Sequence, residues 1–179
     1  ASKSVHFFDS QTAELVKTIK VPGGGGNFTC LKDGSKCYVG LRKANAVGVI
    51  DMAKLELMKT IETGPDANRL YLNPGNSRYG LFANEAGKSD IVSIIDTQLD
   101  VKVKDIWTGL GPHNVAFDPD GKFAVISTKK ENVATLVDTG SADPNDWDVI
   151  TTDLDSGIQN NGVRWVPSPA ALKKALAQN

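Results

Sequence analysis

The stretch VSIIDTQLDVKVKDIWTGLGPHNVAFDPDGKFAVIS, residues 92–127, decides the fold. A short run of β-branched residues ends at Asp96, and a polar turn leads into a second run that alternates in character. Gly111-Pro112 then makes a turn before a short apolar strand, and Asp118-Pro119-Asp120-Gly121 turns the chain tightly into another. Gly supplies positive φ and Pro a preset φ, so these pairs punctuate the chain mechanically. The result is four short strands divided by turn signals within one unit.

The unit recurs. VHFFDSQTAELVKTIKV starts at Val5, VGVIDMAKLELMKTIETG at Val47, and a looser copy, VATLVDTGSADPNDWDVITT, at Val133. The aspartates closing the first strand are Asp9, Asp51, Asp96 and Asp138, separated by 42, 45 and 42 residues. Gly-rich or Gly-Pro turns follow in phase at Gly23–Gly26, Gly64-Pro65 and Gly111-Pro112. Strand-and-hairpin units then repeat as FTCLKDGSKCYVG, LYLNPGNSRYGLFA and VAFDPDGKFAVIS. Four strands at this period match a propeller blade, whereas a sandwich has no need of a self-similar sequence. The expectation is an all-β chain: a β-propeller of about four blades over residues 1–166, with repeats starting near 5, 47, 92 and 133.

These repeats resemble the YVTN-type propeller family, whose pattern joins a V-x-V-I-D strand, a Gly-Pro turn and an S-P-D-G-K hairpin. The resemblance covers about residues 5–140, and the last hairpin strand departs from it, reading YVGL, GLFAN and VIST. It implies a ring of seven or eight blades. Four blades therefore suggest a fragment or a half-ring completed by another chain, with a small closed ring as the alternative. An open arc would leave strand edges exposed. The tail VPSPAALKKALAQN carries a helix signature over 167–179, with Ser168 as cap, Pro169 at the first position and Leu172 and Leu176 on one face.

Composition narrows the function classes. A net charge of −1 offers no field for nucleic acid or an anionic membrane. The apolar runs are far shorter than the ~20 residues of a membrane helix. The chain starts at Ala1, as a processed chain or a piece of a longer one would. Cys30 and Cys37 flank the Asp33-Gly34 turn. A two-residue loop would set them opposite one another, within disulfide reach, and an extra bulge residue would turn them to different faces. A bond would imply an oxidising compartment, periplasmic or extracellular; two small buried thiols are the other reading.

Candidate chemistry gathers at the Gly-Pro turns. Asn27, Asn68 and Asn114 follow those turns in three repeats as GGGGNFT, GPDANRL and GLGPHNV, either as ligand-binding amides or as turn formers. His113 either caps its turn or presents an imidazole at the channel rim. The segment GPHNVAFDPDGKFAVIS is similar to segments of copper-binding propellers such as nitrous-oxide reductase and thiocyanate dehydrogenase, which would make His113 a metal ligand. One histidine cannot build a copper cluster, so that reading needs ligands from further blades. His6 is read as a packing residue. Asp143, Asp146, Asp148, Asp153 and Asp155 lack calcium-loop spacing and read as a solvated loop. Trp107, Trp147 and Trp165 either mark an interface or fill the space between blades. No nucleophile elbow frames a serine and no C-x-x-C-H haem motif occurs. The expectation is a non-catalytic scaffold binding a protein or small ligand, with no cofactor and a second half-propeller or homodimer partner. The alternative is part of a copper- or haem-dependent oxidoreductase.

Overall fold

The computed structural model describes residues 3–155 and 162–165; the helix expected over 167–179 lies outside the described residues. Three four-stranded antiparallel sheets follow a two-stranded hairpin. The hairpin is β1 (Ser4–Phe8) with β2 (Leu15–Lys20). The first sheet holds β3 (Gly25–Cys30), β4 (Lys36–Leu41), β5 (Ala46–Asp51) and β6 (Glu56–Glu62). The second holds β7 (Ala67–Leu72), β8 (Tyr79–Asn84), β9 (Ile91–Asp96) and β10 (Val101–Trp107). The third holds β11 (Pro112–Phe117), β12 (Phe123–Thr128), β13 (Val133–Asp138) and β14 (Asp148–Asp155). In every sheet the strands pair in chain order.

This is the expected propeller of about four blades, the first represented among the described residues by its hairpin alone. The repeats that start near 5, 47, 92 and 133 open on β1, β5, β9 and β13. In each complete sheet that strand is the third, so the sheets are offset from the sequence repeat by half a unit. The repeating aspartate has a local cause. Oδ1 of Asp9, Asp51 and Asp96 accepts backbone N–H groups two and three residues ahead, at 2.8–3.0 Å. One residue further on, Ala13, Leu55 and Asp100 take left-handed φ of 58°, 52° and 54°, which closes the turn.

The core lies between sheets. Val5, Ile19 and Val21 of the hairpin side pack on Val39, Leu41 and Ile50. Tyr38, Val47 and Val49 meet Leu70, Phe82 and Ile95 across the next interface. Leu81, Val92 and Ile94 then meet Val115, Ile126 and Val137. Each such side chain contributes about 1.5–3 kcal/mol on burial, so every blade depends on its neighbour. Adjoining sheets come closest at their first two strands, β3 and β4 against β7, and β8 against β11. Gly40 makes this approach work, since a Cβ there would stand 2.1 Å from the carbonyl oxygen of Asn68.

Two local expectations, the acidic loop and a packed His6, are corrected, and the tryptophans divide between their two readings. The acidic segment is not all loop: Asp148–Asp155 forms β14 and pairs with β13, its β-branched residues overriding the charges. Asp143 accepts the Asn145 N–H at 2.9 Å at the start of the short turn before it. His6 is exposed rather than packed, with Nδ1 2.9 Å from the Thr18 hydroxyl across the hairpin. Trp147 is buried, edge-on to Tyr79 with ring centroids 6.0 Å apart, and fills the space between sheets. Trp107 is 68% exposed, and Trp165 donates its indole N–H to Ala116 O at 2.8 Å, beside β11.

Cys30 and Cys37 are directly opposed in the register of β3 and β4 and are joined by a disulfide. Leu31 N–H donates to Lys36 O at 2.9 Å, so the turn closes without shifting the pair out of register. Gly34 takes φ 70° within it.

Candidate functional site

The turns that precede β3, β7 and β11 lie at the same end of the sheets as the loops that follow β4, β8 and β12. Backbone bonds tie them together: Lys43 N–H to Gly23 O, Glu85 N–H to Asp66 O, and Lys129 N–H to Gly111 O, at 2.9–3.3 Å. By the ends of β4, β8 and β12, Arg42, Glu85 and Lys129 occupy one position in three successive sheets, the residue just after the second strand.

Arg42 and Lys129 converge on the Glu85 carboxylate. The Glu85 side chain is only 4% exposed. Its Oε1 accepts from Asn68 Nδ2 and from His113 Nε2, the latter at 3.1 Å. Its Oε2 faces Lys129 Nζ at 3.3 Å and Arg42 Nη2 at 3.5 Å. A buried carboxylate is tolerable only when paired and hydrogen-bonded in this way. Arg42 also forks onto Asp66, Nε and Nη2 donating to its two oxygens at 2.7 Å each. Those hydrogen bonds to Asp66 push the guanidinium further above its ordinary range.

The four candidate residues from the sequence all belong to this cluster. Asn27 Nδ2 donates to Asn68 Oδ1 at 3.0 Å. Asn114 Nδ2 is 2.9 Å from His113 Nδ1, and the Tyr71 hydroxyl donates to Asn114 Oδ1 at 2.6 Å. Burial raises the Tyr71 hydroxyl above its usual range, so it stays a donor. The line from Tyr71 through Asn114 and His113 to Glu85 suits an imidazole carrying its proton on Nε2.

The strand registers revise one equivalence. Phe28 pairs with Val39, Leu70 with Phe82 and Val115 with Ile126. Asn27 and Asn114 are thus matched by Arg69, while Asn68 matches His113 and Gly26, one residue earlier. A bulge near the start of each first strand lets side chains from both positions reach the cluster.

Arg42, Asp66, Tyr71, Glu85 and Lys129 escaped the sequence reading. For Arg42, Glu85 and Lys129 a signal was present: YVGLR, GLFANE and VISTK end in charges of alternating sign at one place in the repeat. Both ring nitrogens of His113 are engaged by Glu85 and Asn114. Among the described residues, no three His, Cys, Asp or Glu side chains come together as a metal-binding group.

Fold and site together define a β-propeller with a polar cluster at the loop end of its inner strands. Solved structures agree on the fold. Hydrazine synthase of Kuenenia stuttgartiensis matches with a TM-score of 0.70 at 25% identity, over 83% of this chain and 43% of that one. A 6-phosphogluconolactonase-like protein of Bacteroides fragilis matches at 0.64 and 20% identity, over 86% and 49%. The dihydro-heme d1 dehydrogenase NirN, in complex with DHE, matches at 0.66 and 16% identity, over 84% and 34%. The chain thus spans less than half the length of each of these structures. No protein-family model matches the chain, and no curated protein matches it either.

Proposed function

We propose that this chain is a YVTN-type propeller scaffold that binds a small polar ligand, or the polar end of a protein, at the loop end of its inner strands. One observation carries the reading: three sheets send Arg42, Asn68, Glu85, His113 and Lys129 to a single half-open cluster. Repeat scaffolds offer such a face without any catalytic group. The cluster is built to orient rather than to react, because both ring nitrogens of His113 are already engaged, by Glu85 and Asn114. Hydrogen-exchange protection against a ligand panel tests this. Protection confined to the segments around residues 42, 66–68, 85, 111–114 and 129 is expected. Protection only at the opposite hairpin turns would sink it.

The copper alternative finds weak support in this donor set. Two cationic side chains, Arg42 and Lys129, share the carboxylate that His113 faces, and they repel a metal dication. Stoichiometric copper retained through purification would reverse that judgement. The disulfide favours a periplasmic or extracellular setting. The proposed partner is a second half-propeller, because among the described residues the β1–β2 hairpin has two strands where the other sheets have four. Light scattering giving twice the 19.1 kDa chain mass would support a homodimer, and a monomer would count against it.

A further inference from the structure

We infer that the ligand of this cluster is a compact oxyanion, a carboxylate or phosphate group, held between Arg42 and Lys129. The inference rests on the binding-scaffold reading and specifies its ligand. It follows from which hydrogen-bonding capacity the protein spends on itself. Glu85 faces four donors across its two oxygens, Asn68 and His113 on Oε1 and Lys129 and the more distant Arg42 on Oε2, so the protein already supplies the partners of this carboxylate. Both Asp66 oxygens already accept from Arg42, Asn68 Oδ1 accepts from Asn27, and Asn114 Oδ1 accepts from Tyr71. The donors are not exhausted. Arg42 spends only Nε and Nη2, leaving both N–H groups of Nη1, and Lys129 Nζ makes one contact with three hydrogens to give.

Both cations are also reachable. The Arg42 side chain is 41% exposed and that of Lys129 34%. Both stand within 3.5 Å of the same oxygen, Glu85 Oε2, which brings them near enough together for one small anion to reach both. Asp66 and Glu85 pre-set the positions, which cuts the ordering cost of two long side chains. A neutral polyol would leave these charged donors underused, and a cation would be repelled.

The experiment is calorimetric titration of the full chain at low ionic strength with sodium phosphate and sodium malonate, with erythritol and choline as neutral and cationic probes. Saturable binding of one or both anions is expected, and the preferred one identifies the group. Loss of either charge-assisted contact should weaken it about tenfold in Arg42→Gln and Lys129→Gln. Lys17→Gln, on the outer hairpin, should change nothing. Urea unfolding establishes that each variant is folded; should Arg42→Gln fail, Arg42→Lys with Lys129→Gln decides the matter, the former retaining part of the affinity. Absence of saturable anion binding, or equal binding by all variants, overturns the inference. Erythritol binding lost in Asn68→Ala would then leave the scaffold reading standing. No binding of any probe, with no protection at this end, would remove both.

Discussion

The two ends of the interface between the first and second sheets use the same device to different effect. At the hairpin end, Asp100 accepts the Tyr38 hydroxyl at 2.6 Å and the Lys36 ammonium at 2.8 and 2.9 Å. Both donors also reach Thr97 O. Tyr38 is wholly buried, Lys36 and Asp100 are 19% and 10% exposed at the side chain, and this lock is nearly closed to water. At the loop end, Glu85 plays the part of Asp100, but its cationic partners stand twice as exposed and keep donors to spare. A polar group spent entirely on its neighbours holds blades together. One that over-supplies donors at an open rim holds them together and can also bind.

Perturbing each end separates those roles, and the largest effect should come from the close backbone approach of the two sheets beside the loop-end cluster. Gly40→Ala forces a methyl group onto the Asn68 carbonyl, a backbone atom that cannot give way locally. It should cost above about 3 kcal/mol in urea unfolding, and binding at the loop end should vanish with it. Asp100→Ala strands the Tyr38 hydroxyl and the Lys36 ammonium in a closed site, and should cost about 3 kcal/mol while leaving loop-end binding of the folded protein intact. Equal loss of ligand affinity in this variant would break the comparison. Removing the disulfide as Cys30→Ser with Cys37→Ser opens a short loop, for about 2.5 kcal/mol on the chain-entropy account, again without touching binding.

Glu85→Gln sharpens the contrast from the other side. Water still reaches Arg42 and Lys129, so the stability cost should be only about 2 kcal/mol, with the larger change seen in ligand affinity. The smallest effect concerns acid. Burial works against ionisation of Asp96, yet the Arg78 hydrogen bonds at 2.7 and 3.0 Å and the Leu99 and Gln98 N–H groups hold its pKa below the ordinary 3.8. A carboxylate depressed in the folded state stabilises above the unfolded pKa, and that stability is lost as pH falls through the folded value. Asp96→Asn should therefore flatten the stability profile below about pH 4 and leave the loop end unaffected at neutral pH.

The sequence carried the fold because a propeller repeats its local rules. The Asp9, Asp51 and Asp96 turns and the Gly-Pro breaks are set by interactions within a few residues, so they leave a periodic trace. Asn27, Asn68, His113 and Asn114 were legible for the same reason, since each sits beside a readable turn. The strand Asp148–Asp155 was not, because its pairing with β13 overrides a composition that favours loop. The half-unit offset between repeat and sheet was equally out of reach, as turn signals do not say which hairpin faces inward.

By itself, then, the sequence determined the strands, their turns and the near-fourfold repeat, all set by short-range backbone chemistry. Only the tertiary structure decided that Cys30 and Cys37 stand in register and that Asn68 shares a place with His113 rather than with Asn27 and Asn114. It alone brought Arg42, Glu85 and Lys129 together from residues more than forty apart. Charges so distant along the chain meet only when apolar faces between sheets have stacked, and that burial fixes which polar groups share a carboxylate.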